Sequence, residues 1–112
     1  MPFSINIDGT ELTPHKHIGG HPEWAEGSLI IGTDGRNAPK GHVEKQIIYD
    51  VDSGKIVGQL GTPKMFPEPG ADVSLSPDGD WFVNGYAKGN GKHYYAFLRP
   101  SDGAFVRSMG IE

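Results

Sequence analysis

Histidine is the side chain in this sequence whose type and spacing best suit chemistry. His15 and His17 are separated by one residue, and His21 follows shortly after them. In an extended chain, residues i and i+2 project to the same side, and neutral imidazole is a good ligand for manganese, zinc or iron. The three histidines are therefore candidate metal ligands. The alternative interpretation is a polar surface loop whose histidines are solvated.

Carboxylates in nearby segments could supply further ligands to such a metal. The alternative, which we favour, is that these residues open loops or strands and bond their own backbone. Because manganese takes about six donors, we expect water, substrate or another blade to complete the set, and metal binding by this chain alone to be weak. The candidate carboxylates are Glu23, Asp34 and Asp72.

Cationic and aromatic side chains suggest an acidic sugar as ligand. The net charge is −4, yet several cations lie in or beside the segments that hold the histidines. Cations concentrated at one place would suit a polyanion, although exposed loops carry lysine in any case. Tyr86, at the edge of such a segment, is the best aromatic candidate for stacking on a sugar. The residues predicted to contact substrate are Arg36, His42, Tyr86, Lys92 and His93.

The composition argues against several classes of function. Without cysteine, the 112-residue chain has no disulfide and no thiolate metal site. Its acidic balance argues against a nucleic-acid or anionic-membrane partner. No apolar run approaches the length of a membrane span, and the first residues lack the pattern of a secretory signal. We expect a soluble protein, with its compartment undetermined.

The elements that must position these side chains repeat once along the sequence. Each unit holds four stretches rich in branched and aromatic residues, punctuated by glycine, proline, aspartate and serine, as expected for short strands. A repeat of about 50 residues with four strands is typical of a β-propeller blade. The matching glycines are Gly27 with Gly79, Gly54 with Gly103, and Gly61 with Gly110.

The sequence thus predicts an all-β fold with two four-stranded antiparallel blades and part of a third. Residues 1–112 form one propeller segment, with an outer hairpin at 3–12, a first blade at 21–61 and a second at 72–110. Trp24 and Trp81 are expected to pack between blades. The predicted strands are His21–Ala25, Ser28–Thr33, Lys45–Val51, Lys55–Leu60, Asp72–Ser76, Asp80–Tyr86, His93–Arg99 and Ala104–Met109.

Strand direction alternates in such a sheet, so the two ends of the blades differ. Tight turns at Asp52–Gly54, Ser76–Gly79 and Ser101–Gly103 should share one end. The longer connections, with all five histidines, should share the other. Because a closed propeller takes about four to eight blades, the partner is either the remaining blades of a longer parent chain or further copies in a homo-oligomer.

Two segments resemble a known family of propellers. His21-Pro22-Glu23-Trp24, and the run Leu75–Val83 with its Ser-Pro-Asp-Gly turn, are similar to the blade openings of oligogalacturonate lyase-type propellers. The Ser-Pro-Asp-Gly turn also occurs in the periplasmic propeller of the Tol system and in relatives of prolyl oligopeptidase. It is therefore typical of a propeller and of no one activity. The resemblance covers most of residues 20–110.

The resemblance implies metal-assisted cleavage of uronate polysaccharides by β-elimination. Members of that family hold manganese through histidines and a glutamine in a Gln-x-x-His-x-His pattern, which His15 and His17 match and Leu12 does not. Elimination needs a base for the proton α to the carboxylate, and the sequence does not single out a catalytic residue. The alternative function is a non-catalytic propeller module that binds protein or glycan through its histidine-bearing face.

Overall fold

The chain folds as three antiparallel β-sheets. A computed structural model describes residues 2–16, 18–34, 45–62, 65, 73–87 and 89–112, and it contains ten strands and no helix within those ranges. The all-β class predicted from the sequence is confirmed. The described part of the chain has no helix with the length and apolarity that crossing a membrane would require.

The first sheet is a hairpin of two short strands. Strand β1 (Phe3–Ser4) pairs with β2 (Thr13–Pro14), with Phe3 opposite Pro14. The turn between them is closed by Asp8, whose carboxylate accepts hydrogen bonds from the amide and hydroxyl of Thr10. The sequence predicted a hairpin here, but it placed the second strand a few residues too early.

The second sheet contains the first repeat unit. Its strands are β3 (Gly19–Trp24), β4 (Leu29–Thr33), β5 (Gln46–Asp50) and β6 (Lys55–Gln59). Each strand pairs with the next in sequence, so the sheet is a simple meander. Branched residues fill the two central strands, which are almost wholly buried, as the preference of such residues for a packed pleated surface predicts.

The third sheet contains the second repeat unit and has the same strand order. Its strands are β7 (Val73–Leu75), β8 (Phe82–Ala87), β9 (His93–Arg99) and β10 (Ala104–Arg107). In both units the ends of all eight predicted strands agree with the observed ones to within two residues. We call these two meanders the first and second four-stranded sheets.

Tight turns define one end of each four-stranded sheet, which we call the tight-turn end. Gly54 and Gly103 have φ angles of 69° and 72°, which a residue without Cβ adopts at no steric cost. In the second turn Asp102 accepts two hydrogen bonds from the Arg99 guanidinium, at 2.9 and 2.7 Å. This pairing lowers the pKa of Asp102 to about 2. The opposite end is called the loop end.

The three sheets stack in chain order around two apolar clusters. Between the hairpin and the first four-stranded sheet, the buried residues are Ile18, Ile30, Ile47 and Tyr49. Between the two four-stranded sheets they are Ile31, Leu60, Val73, Tyr86, Ala96 and Leu98. Neighbouring residues of a strand face opposite sides, and Ile30 and Ile31 accordingly contribute to different clusters.

The two tryptophans depart from the prediction that they pack between sheets. Trp24, on the edge strand β3, is exposed, so that prediction is wrong for it. Trp81 is half-buried, as expected, but it contacts Arg99, whose guanidinium carbon lies 4.8 Å from the ring centroid. Trp81 precedes Phe82, which faces the first four-stranded sheet, so Trp81 itself lies on the outer face of the second.

Candidate functional site

A cluster of polar and aromatic side chains lies at the loop end of the second four-stranded sheet. Strand β8 ends there and β9 begins there, which places Tyr86 directly opposite Tyr94. Asn90 and Lys92 lie in the connection between these strands, and Arg107 ends β10 on the same side. We call these five residues the loop-end cluster. Two of them, Tyr86 and Lys92, are substrate contacts predicted from the sequence.

Two stacked rings form the base of the loop-end cluster. The Tyr86 and Tyr94 rings are 5.6 Å apart between centroids and inclined by 17°. The Tyr94 hydroxyl accepts a hydrogen bond of 3.0 Å from Asn90, whose side-chain oxygen in turn accepts one of 3.1 Å from the Lys92 amide. The loop between the strands is thereby fixed to the aromatic pair.

Two cations border the stacked rings. The Arg107 guanidinium carbon lies 5.9 Å from the Tyr86 centroid and 5.3 Å from that of Phe105, within reach of cation–π attraction. The Lys92 side chain lies beside Tyr94, because both contact Gly110. A Cβ there would lie 2.7 Å from the Lys92 Cδ and 2.9 Å from the Tyr94 hydroxyl, so a larger residue would displace them.

The hydroxyl group of Tyr86 is the chemically unusual atom of the cluster. Tyr86 is only 4% exposed, and its hydroxyl has no hydrogen-bond partner in the described part of the chain. A buried tyrosine hydroxyl normally has a partner. The Tyr86 ring contacts the Tyr94 ring and the Arg107 guanidinium, and its hydroxyl is an unsatisfied donor that a ligand oxygen would have to enter the cluster to reach.

The remaining predicted substrate contacts lie on another face of the sheet or outside the described residues. His93 lies one residue before Tyr94 and so faces the opposite side of the sheet, where it is exposed. Its backbone forms two hydrogen bonds with Ile111, of 2.7 and 2.9 Å, so its structural role is to anchor the C-terminal residues. Arg36 and His42 lie outside the described residues.

His15 is buried beneath the N-terminal hairpin. Its Nε2 lies 2.7 Å from the Ser4 hydroxyl, and its Nδ1 lies 2.7 Å from the Tyr49 hydroxyl. The Tyr49 oxygen lies 3.7 Å from the position of a Cβ on Gly54, so His15 belongs to the tight-turn end. The prediction that all five histidines lie at the loop end is therefore wrong for His15.

This chain of three side chains joins the hairpin to the first four-stranded sheet. Burial, with a smaller contribution from the charge of Asp50, raises the pKa of Tyr49, so its hydroxyl stays protonated at neutral pH. A neutral imidazole has one donor and one acceptor, and each hydroxyl can play either part. His15 is thus fully satisfied by Ser4 and Tyr49, and it connects strands that are distant in sequence.

The predicted manganese site fits this arrangement poorly. A metal bound to His15 would have to displace the hydrogen bond from Ser4 or from Tyr49. His21 is exposed on edge strand β3, and His17 lies outside the described residues. In the described ranges no group of three histidine, cysteine or carboxylate side chains is placed to hold a metal. The three-histidine metal site therefore stays a prediction.

Sequence reasoning missed Arg107 and the pairing of His15 with Tyr49. The sequence did contain a signal for Arg107. It lies two residues after Phe105 in β10, so both side chains had to project from the same face of the strand. No pattern in the sequence links His15 to Tyr49, since that contact depends on how the hairpin packs.

Comparison of the chain with protein-family models, with curated proteins and with solved structures found no match. The loop-end cluster is accordingly interpreted from its own geometry and charge.

Proposed function

We propose that this chain is a β-propeller segment that binds an acidic oligosaccharide at its loop-end cluster. The observation that carries the proposal is the buried hydroxyl of Tyr86, which has no partner in the described residues and belongs to a ring that contacts both the Tyr94 ring and Arg107. A sugar offers hydroxyl oxygens to that group and an apolar ring face to tyrosine. A uronate adds a carboxylate, which suits the two cations.

The charges of the loop-end cluster favour an acidic sugar over a neutral one. The chain as a whole carries a net charge of −4, yet Arg107 lies over the Tyr86 ring and the Lys92 side chain lies beside Tyr94. Arg107 donates a hydrogen bond of 3.3 Å to the Met65 carbonyl. Since a guanidinium group has five N–H donors in a planar fork, it can keep that bond and also bind a carboxylate.

The proposal extends to binding and not to the cleavage chemistry of the lyases that the sequence resembles. Cleavage would need a metal and a base, and His15, the ligand predicted from the pattern, already contacts Ser4 and Tyr49. The non-catalytic module predicted as the alternative function is thus the better supported of the two. Release of an unsaturated sugar from a uronate oligomer with added manganese would overturn this choice.

Calorimetric titration with trigalacturonate, and with the matching neutral galactose trisaccharide, tests the proposal. We expect binding of the acidic sugar alone, weakened by salt because the attraction is ionic. Arg107→Gln should weaken it about 10- to 100-fold, the effect of a lost charged hydrogen bond. The control Lys55→Gln changes an exposed cation of β6, and its affinity should equal that of the wild type.

Tyr86→Phe gives the sharper test, because it separates binding from folding. Removing an orphaned hydroxyl should leave the free energy of unfolding unchanged or raise it. The same change should weaken trigalacturonate about 3- to 10-fold. Tyr95→Phe, on the opposite face of β9, is the matched control. Unchanged affinity in Tyr86→Phe, or equal binding of the neutral trisaccharide, would contradict the proposal.

A further inference from the structure

The stack of three sheets ends on an apolar face at the hairpin. Ser4 points toward His15 and the first four-stranded sheet, so Phe3 and Ile5 point away from it. Pro14 pairs with Phe3 and shares its side. Phe3, Ile5 and Leu12 are all more than half exposed. We call Phe3, Ile5, Leu12 and Pro14 the hairpin face.

The other end of the stack is a second apolar face, on the outside of the second four-stranded sheet. Val83 pairs with Phe97, which pairs with Val106, and these three residues line one shallow groove with Trp81. Tyr95 lies on the same side of β9 and is exposed. We call Trp81, Val83, Tyr95, Phe97 and Val106 the sheet face.

The internal repeat indicates which kind of structural element covers the sheet face. Ile31 and Val83 each lie four residues after a matched glycine, Gly27 or Gly79, and likewise Ile48 corresponds to Phe97. In the first four-stranded sheet, Ile31 pairs with Ile48, and both pack against the second four-stranded sheet. Val83 and Phe97 therefore occupy the positions that, one unit earlier, are covered by a β-sheet.

We propose that copies of this chain assemble head to tail, the hairpin face of one copy packing on the sheet face of the next. One chain carries both apolar faces, at opposite ends of the stack. A head-to-tail neighbour covers both kinds of face with one kind of contact, whereas a symmetric pair joined through its sheet faces leaves both hairpin faces in water. Such a contact joins different surfaces, and it closes into a ring if the rotation between copies allows.

Light scattering coupled to size exclusion, over a range of concentrations, tests the assembly. The wild type should have a mass several times the 12.1 kDa of one chain. Ile5→Glu and Val106→Glu should each reduce the mass to that of one chain, because they place a charge in the two faces. Both side chains are exposed, at 57% and 55%, so neither change should disturb the fold. Far-ultraviolet circular dichroism checks that each variant is folded. If Val106→Glu does not fold, Tyr95→Glu replaces it as the variant of the sheet face.

Mixing the two variants distinguishes head-to-tail contact from any symmetric pairing. Ile5→Glu keeps an intact sheet face and Val106→Glu keeps an intact hairpin face, so an equimolar mixture should form a one-to-one pair. The control Val57→Glu has the same chemistry and, at 56%, the same exposure, but it lies on β6 outside both faces and should assemble like the wild type. A single-chain mass for the wild type at every concentration, or full assembly of Ile5→Glu alone, overturns the proposal.

Discussion

Tyr49→Phe removes one hydroxyl group from the best-defined polar contact in the chain. The hydroxyl lies 2.7 Å from the Nδ1 of His15, and both residues are 2% exposed, so water cannot replace it. The ring remains, and with it the edge contact to the imidazole, whose centroid is 5.1 Å away. The change therefore creates no large cavity and isolates the effect of one hydrogen bond.

The expected loss of stability depends on whether the His15 nitrogen that loses its hydrogen bond stays buried or can bond to water. An unpaired polar atom in the interior costs about 1–3 kcal/mol, and we expect Tyr49→Phe to lower the free energy of unfolding by that amount. Ser4→Ala removes the hydrogen bond at the other nitrogen of His15. Because Ser4 is only half-buried, water can take its place, and the loss should be smaller, about 0.5–1.5 kcal/mol.

Urea unfolding followed by far-ultraviolet circular dichroism measures both losses. The protein concentration must be held fixed, because assembly would shift the apparent stability. Tyr95→Phe, whose ring is exposed, is the control and should change stability by less than about 0.5 kcal/mol. If Tyr49→Phe were as stable as Tyr95→Phe, or if Ser4→Ala were the more damaging change, the argument from burial would be refuted.

Three further changes probe packing and charge elsewhere. Gly32→Ala should cost about 1–3 kcal/mol in urea unfolding, because its Cβ would lie 2.7 Å from the Gly19 carbonyl oxygen. In Gly85→Ala the nearest atom, in a Tyr95 side chain, is 3.4 Å away, and little change is expected. Asp102→Asn should remove stability that the wild type has above the ordinary pKa of 3.8 and loses as pH falls through about 2; unfolding measured across that window should show the two proteins converging at the acid end. Trp81→Ala should cost less than the roughly 3–5 kcal/mol of a fully buried aromatic, since Trp81 is only half-buried; a larger loss in urea would show that its outer face is covered.

The strands could be predicted because residue types within a few positions of each strand end determine where it begins and ends. Turn sequences such as Asp52–Gly54 and Ser101–Gly103 require glycine at a positive φ angle, and β-branched and aromatic runs fill the space between them. Those signals act over a few residues and do not depend on tertiary packing. The alternation of facing sides follows directly, which is why Tyr86 could be placed at the loop end, although its pairing with Tyr94 was not predicted.

The site was harder to predict because it depends on contacts between distant segments. Whether His15 meets a metal, water or Tyr49 is decided by how the hairpin packs on the first four-stranded sheet, and no local pattern encodes that. Trp24 shows the same limit, since a tryptophan in a strand was expected to be packed, yet this one lies on the edge strand β3 and is exposed. The type of a residue therefore indicated which contacts its side chain could form, and tertiary packing determined which of those contacts it does form.

The strictly sequential strand order has a consequence for how the protein is made. In both four-stranded sheets every strand after the first pairs with the strand synthesised just before it. The first of these sheets ends at Gln59, before Val73 begins the second. During translation the earlier sheet can therefore close while the later residues are still inside the ribosome, and its buried face then serves as a template for the next. The order of folding would follow the order of synthesis, with no strand waiting for a distant partner.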